Sequence, residues 1–266
     1  MPPAELFRDF RDAVERNRLT VYASAVAYRA LVATIPLVLL GLTLLSAFGL
    51  DSTWTKSIRP AIDPHVQPPV ARAIDFTVAQ IFRGSSTGLM LFAAAWVLWN
   101  LSLAMSVIME ALNRIHDVEE RRSRTTRVGT AVALAAGVGV LLITATLVMS
   151  AAPLIGNGTL HLVFGLGRWV VSPLLLIVAV TLLFRFGPAE RPETEWASAG
   201  STLVVVVWLV TSAIFVWWVT VANYKSSTGN LTVLLTITLY IFISSAIFLL
   251  GAQLDELLRR RSHTRE

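Results

Sequence analysis

The sequence contains no cysteine, and only 15% of its 266 residues are Asp, Glu, Lys or Arg. Without cysteine there is no disulfide framework, no thiolate metal site and no cysteine nucleophile. The shortage of charge excludes more. A soluble domain of this size carries roughly 25% charged residues, which its folded surface needs in order to stay in water. The chain is 55% hydrophobic with a mean hydropathy of +0.67, so a disordered segment, a secreted disulfide scaffold and an ordinary cytosolic enzyme are all ruled out.

What charge there is lies in clusters. No acidic or basic residue occurs in 30–50, 84–109, 128–167, 169–184, 196–224 or 226–254. About 18 or more predominantly apolar residues suffice for a helix to cross a hydrocarbon core. Five of these segments qualify outright. The segment near 169–186 qualifies if Arg185 snorkels to the interface. The expectation is an all-α polytopic membrane protein with six transmembrane helices at about 21–48, 86–108, 128–151, 169–186, 196–221 and 231–250, forming a single membrane domain over 1–266.

The connecting segments carry their own patterns. Residues 4–18 place Leu6, Phe7, Phe10 and Val14 on one helical face, which suits an amphipathic helix on the membrane surface or one docked on the rest of the protein. No cleavable signal peptide is expected, because the first twenty residues mix both signs of charge and the following apolar run is too long. Pro36 should kink the first span. Residues 49–85 form a proline-rich loop, in which Pro68–Pro69 and Gly84 bracket a second interfacial helix with a stripe of Ile74, Val78, Ile81 and Phe82. Residues 110–127 are expected to prolong the second span as a helix. Pro153 and the turn at 156–158 end the third span.

Orientation follows from the basic residues. With the N-terminus inside, the cytoplasmic segments hold 15 Lys and Arg and the opposite side holds 6, with Arg29 inside the first span. That bias places both termini in the cytoplasm and the proline-rich loop outside. The net charge of +5 is therefore read as membrane orientation, with no nucleic-acid partner expected.

Three stretches, in this order, resemble the YihY/BrkB family of bacterial inner-membrane proteins, once mislabelled ribonuclease BN. They are Ala-Ser-Ala-Val-Ala-Tyr at 23–28 followed by Ile35-Pro36-Leu37, then Ala-Leu-Asn-Arg-Ile-His-Asp-Val-Glu-Glu-Arg-Arg at 111–122, then Leu-Gly-Ala-Gln-Leu at 250–254. The resemblance covers nearly the whole chain and implies six membrane helices. The family has carried the labels ribonuclease, serum-resistance virulence factor and lipid exporter, none a settled molecular activity. The chain departs from the family pattern at His116, where an aromatic is usual, at Gln253, where a glutamate is usual, and at Arg29, where a small or aromatic residue is usual.

No catalytic residue, cofactor site or metal site is expected. His65, His116, His161 and His263 are scattered over both sides of the membrane. If 110–127 is helical, His116, Glu119 and Glu120 share a face, yet Arg121 and Arg122 follow at once and should pair with the glutamates. No phosphate loop, GxSxG or HExxH pattern occurs.

Polar groups within the spans are the candidates, because hydrocarbon makes them costly. Arg29 can snorkel to the headgroups or engage a phosphate or carboxylate. Asn100 must bond another helix or line a wet cavity. Thr232, Thr236, Tyr240 and Ser244 recur every fourth residue and form one polar stripe. Gly129, Ala133 and Gly137 form a small-residue row suited to close helix packing. Trp54, Trp169 and Trp196 are expected as interfacial anchors, and Trp96, Trp99 and Trp208 as packed residues. Arg29, Asn100, Thr236, Tyr240 and Ser244 are thus the candidate cavity or lipid-contacting residues. The partners expected are membrane lipids, including an anionic amphiphile. The function expected is transporter-like or flippase-like handling of such a molecule, with a non-transporting scaffold or envelope-integrity protein as the alternative.

Overall fold

The apolar runs become helices. The structure is a computed structural model that describes residues 3–63, 68–84, 86–150, 159–190, 199–221 and 229–263. Its long elements are α1 (Pro3–Arg16), α2 (Leu19–Ala47), α5 (Pro68–Gly84), α6 (Thr87–His116), α7 (Arg124–Ser150), α8 (Thr159–Phe186), α9 (Ala199–Val221) and α10 (Gly229–His263). Between α2 and α5 lie two short helices, α3 (Asp51–Thr53) and α4 (Arg59–Ile62), joined by a π-helical turn at Trp54–Ile58. No strand occurs among the described residues. Among the described residues, six helices are long and apolar enough to cross a membrane: α2, α6, α7, α8, α9 and α10. In each, many of the large apolar side chains point away from the protein, as Val140, Ile143 and Leu147 do on α7. In a bilayer that surface meets acyl chains.

Residues cluster into two compact units. Unit 1 holds residues 1–26, 102–212 and 244–266, and unit 2 holds 27–101 and 213–243. In unit 1 the core is formed by Leu19, Leu112, Ile115, Phe184, Val204 and Ala252. Val14 of α1 packs against it and Ala13 is buried, so the second half of α1 is docked on the unit, while Phe7 stays 70% exposed. α9 and α10 approach closely here. A Cβ on Gly251 would collide with Val204, and one on Gly200 with the side chain of Asp255.

In unit 2 the bracketed helix appears within its expected bounds as α5, and its stripe is used. Ile74, Val78, Ile81 and Phe82 pack with Leu42, Leu45, Trp54 and Ile58. Trp54 is therefore buried rather than an interfacial anchor, and its Nε1 donates to Asp75 Oδ1 at 3.3 Å. Arg59 Nη2 reaches the other Asp75 oxygen at 2.7 Å, tying the short helices to α5. Gly49, with φ +67°, ends α2; the N–H of Leu50 donates to the Leu45 carbonyl at 2.8 Å, the hydrogen bond of a Schellman cap.

Several expectations need correction. The helix expected over 110–127 stops at His116, because Asp117 takes a left-handed conformation (φ 57°) and the Val118 N–H bonds the Asn113 carbonyl at 2.9 Å, another Schellman end. The shared face of His116, Glu119 and Glu120 therefore does not form. α8 starts at Thr159, ten residues before the expected span, and α10 runs on to His263. The row on α7 is not a packing surface: a Cβ on Gly129 or Gly137 would meet nothing within 4 Å. Trp99, expected to pack, is 63% exposed. The expected anchor Trp196, the turn at 156–158 and His65 lie outside the described residues.

Candidate functional site

One end of unit 1 gathers polar groups that sequence distance hides. Three residues in four positions of α10 each hold a different element. Gln253 accepts a 2.6 Å hydrogen bond from Asn17 Nδ2, just past α1. Asp255 accepts from the Gly200 N–H at 3.0 Å, at the start of α9, where a helix leaves its first N–H groups unpaired. Glu256 lies 2.8 Å from His116 Nδ1, at the end of α6. The Glu256 side chain is 1% exposed, and Arg259 and Arg260 both donate to it from one turn further on. A buried carboxylate is tolerable when paired in this way.

The α6–α7 connection is fixed from the same side. Asn113 Nδ2 donates to Glu120 at 3.0 Å, and its Oδ1 accepts from the Ala189 N–H at 2.7 Å. Arg122 grips Glu120 through two 2.8 Å hydrogen bonds and donates to the Gly187 carbonyl at 3.0 Å, just beyond α8. The Arg122 guanidinium holds the Glu120 carboxyl down at about 2, against an ordinary 4.5. The pairing expected between the arginine pair and the glutamates is thus seen as Arg122 with Glu120. The end of α1 and α6, α8 and α10 consequently meet at one end of the unit. Around them opens a cavity of about 600 Å³ lined by Arg16, Asn17, Asn113, Arg114, Ile115, Asp117, Val118, Glu119 and Arg260.

The residues singled out in the sequence lie elsewhere. Arg29 is half-buried on α2 in unit 2 and has no hydrogen-bond or ion-pair partner among the described residues. Asn100 is buried in the same unit and donates to the Trp96 carbonyl one turn back on its own helix, at 3.0 Å, rather than to another helix. Thr236 is buried in unit 2, and Tyr240 lies against Phe215 of α9 with ring centroids 4.5 Å apart. Ser244, in unit 1, accepts from Trp208 Nε1 at 3.1 Å and borders an apolar cavity of about 180 Å³. None of the cavities described here is lined by Arg29, Asn100 or Tyr240. Among the described residues, no group of three or more His, Asp or Glu could hold a metal.

Asn17 and Glu256 were missed in the sequence because nothing local marks them; each finds its partner more than a hundred residues away. Gln253 was visible only as a departure from a family pattern, and His116 as such a departure and as part of a helical face that does not form.

Comparison with known proteins points to a family whose members are named as membrane proteins. The family described as virulence factor BrkB matches residues 10–266. The ribonuclease-like protein YfkH of Bacillus subtilis is 25% identical over 249 residues, covering 90% of each chain. A UPF0761 membrane protein of Stenotrophomonas maltophilia is 27% identical over 256 residues, and there the match spans 90% of this chain but 57% of the relative. One from Mannheimia succiniciproducens is 23% identical over 261 residues, covering 95% and 89%. No solved structure matches. With six apolar helices and a family match across nearly its whole length, this chain is an integral membrane protein of the BrkB virulence factor family.

Proposed function

We propose that the protein handles an anionic amphiphile, a membrane lipid or a molecule like one, in the manner of a transporter or flippase. Arg29 is the observation that carries this reading. It lies ten residues into α2, about 15 Å along the axis at 1.5 Å per residue. A guanidinium within an apolar span costs about 2.5–3.5 kcal/mol at the bilayer centre unless something compensates it. Arg29 has no protein partner among the described residues, so a lipid phosphate or carboxylate supplies one. Asn100, Thr236 and Tyr240 are further polar groups of the same unit, within the spans. The chain is read as one membrane domain, since α2, α6, α9 and α10 each contribute residues to both units. The inner membrane, with both termini cytoplasmic, is the placement supported by the basic-residue bias.

Among the described residues, no side-chain arrangement supports catalysis. His116 is committed to Glu256, and the ribonuclease-like name belongs to the Bacillus relative. The alternative, a scaffold whose helices bind partners, is favoured by a different observation, the open small-residue row on α7.

The test is lipid retention by native mass spectrometry on purified wild type, Arg29→Ala and Arg29→Lys. A planar fork binds a phosphate through two hydrogen bonds, which an ammonium cannot reproduce. Retention of anionic lipid should fall in Arg29→Ala and be intermediate in Arg29→Lys, with thermal stability unchanged. Equal retention in all three would leave Arg29 as an anchor at the headgroups.

A further inference from the structure

The cavity in unit 1 holds charges that the ion pairs leave unused. Its volume of about 600 Å³ would accommodate a small polar molecule or a lipid headgroup. Of its three arginines, Arg260 is already engaged by Glu256. Arg16 and Arg114 have no ion-pair partner among the described residues, and neither do the carboxylates Asp117 and Glu119. Two cations and two anions, all four exposed and with Arg114 also beside the Tyr22 hydroxyl, therefore line one space without a direct ion pair between them. A simple anion entering it gains from the arginines and loses to the carboxylates, and a simple cation meets the converse. A molecule carrying both signs gains from all four.

The wall behind these charges is fixed. Asn17 is held by Gln253, and Asn113 by Glu120 and the Ala189 N–H. Asp117 sits on the left-handed residue that ends α6. Guanidinium groups match phosphate through paired N–H donors, and carboxylates accept from an ammonium. We propose that this cavity binds a zwitterion joining a phosphate to a primary amine, the chemistry of ethanolamine phosphate, either free or as the headgroup of phosphatidylethanolamine. The proposal does not rest on Arg29, which belongs to unit 2.

Isothermal titration of the full chain in detergent, with O-phosphoethanolamine, inorganic phosphate and ethanolamine, tests the soluble form. Native mass spectrometry comparing retention of phosphatidylethanolamine and phosphatidylglycerol tests the lipid form. O-phosphoethanolamine should bind about tenfold tighter than phosphate or ethanolamine alone, or phosphatidylethanolamine should be retained in preference to phosphatidylglycerol. Arg16→Gln with Arg114→Gln should weaken either by about tenfold. The decisive pair is Asp117→Asn with Glu119→Gln, which should weaken the zwitterion while strengthening inorganic phosphate. If it strengthens both, the site is a plain anion site and the proposal fails. Effects confined to the titration assign a soluble ligand, and effects confined to the lipid assign a headgroup. Absence of both overturns the proposal. Asn tolerates the left-handed conformation at position 117. Should that end of α6 still be disturbed, Glu119→Gln alone carries the same expectation at smaller size.

Discussion

Asn17 Nδ2 donates to Gln253 Oε1 at 2.6 Å, a buried amide pair joining positions 236 residues apart. It ties the turn after α1 to α10. Removing one partner leaves the other buried and unsatisfied, which costs about 1–3 kcal/mol, whereas replacing both with apolar groups of similar shape can be nearly neutral. Asn17→Leu and Gln253→Leu should each lower the melting temperature of the purified protein, and the double variant should recover most of the loss. Losses that simply add would show that the pair is not coupled.

Glu120 makes the α6–α7 connection sensitive to acid. Its carboxyl in the folded protein sits at about 2, below the ordinary 4.5, because Arg122 hydrogen-bonds the charged form. A depressed carboxyl stabilises the folded state fully above the unfolded value and loses that contribution as pH falls through the folded one. Glu120→Gln should therefore melt below wild type at about pH 6, with the gap narrowing below about pH 4.5 and closing only toward about pH 2. A gap that stays constant with pH would assign the effect to shape rather than charge.

The glycines divide by what surrounds them. Gly251 faces Val204 with no room for a Cβ, and overpacking of this kind costs about 1–3 kcal/mol or more. Gly251→Leu should impair folding, judged by yield of monodisperse protein. Gly137→Leu should leave the monomer unaffected, since nothing lies within 4 Å of its Cβ direction. If Gly137→Leu instead changes the oligomeric state, the α7 row is a partner surface and the scaffold reading gains.

Topology can be checked with a reporter active only outside the cytoplasm. Fused after Glu266 it should stay silent, and inserted near Asp63 it should be active. Activity at Glu266 would reverse the proposed orientation.

The spans were legible because an apolar run leaves a helix as the only way to satisfy backbone groups in hydrocarbon. α5 was legible as well, since Pro68 and Gly84 are start and stop signals. The end of α6 was not, because Asp117 adopts a conformation that sequence reading assigns to glycine first. The first turns of α8 were left out of the expected span, which began after the charge of Arg168; Arg168 donates to the Met149 carbonyl of α7 at 3.2 Å. Trp54, expected at the interface, is buried, and Trp99, expected to pack, is exposed, because composition does not tell which face of a helix the protein covers.

The clustering of Gln253, Asp255 and Glu256 also sets an order of assembly. Asn17, His116 and the Gly200 N–H are synthesised before the partners that satisfy them, and each must remain hydrated or bound elsewhere until the last span has been made. Unit 1 thus closes late in biogenesis. A ribosome stalled before Gln253 would leave an open intermediate with three unpaired polar groups.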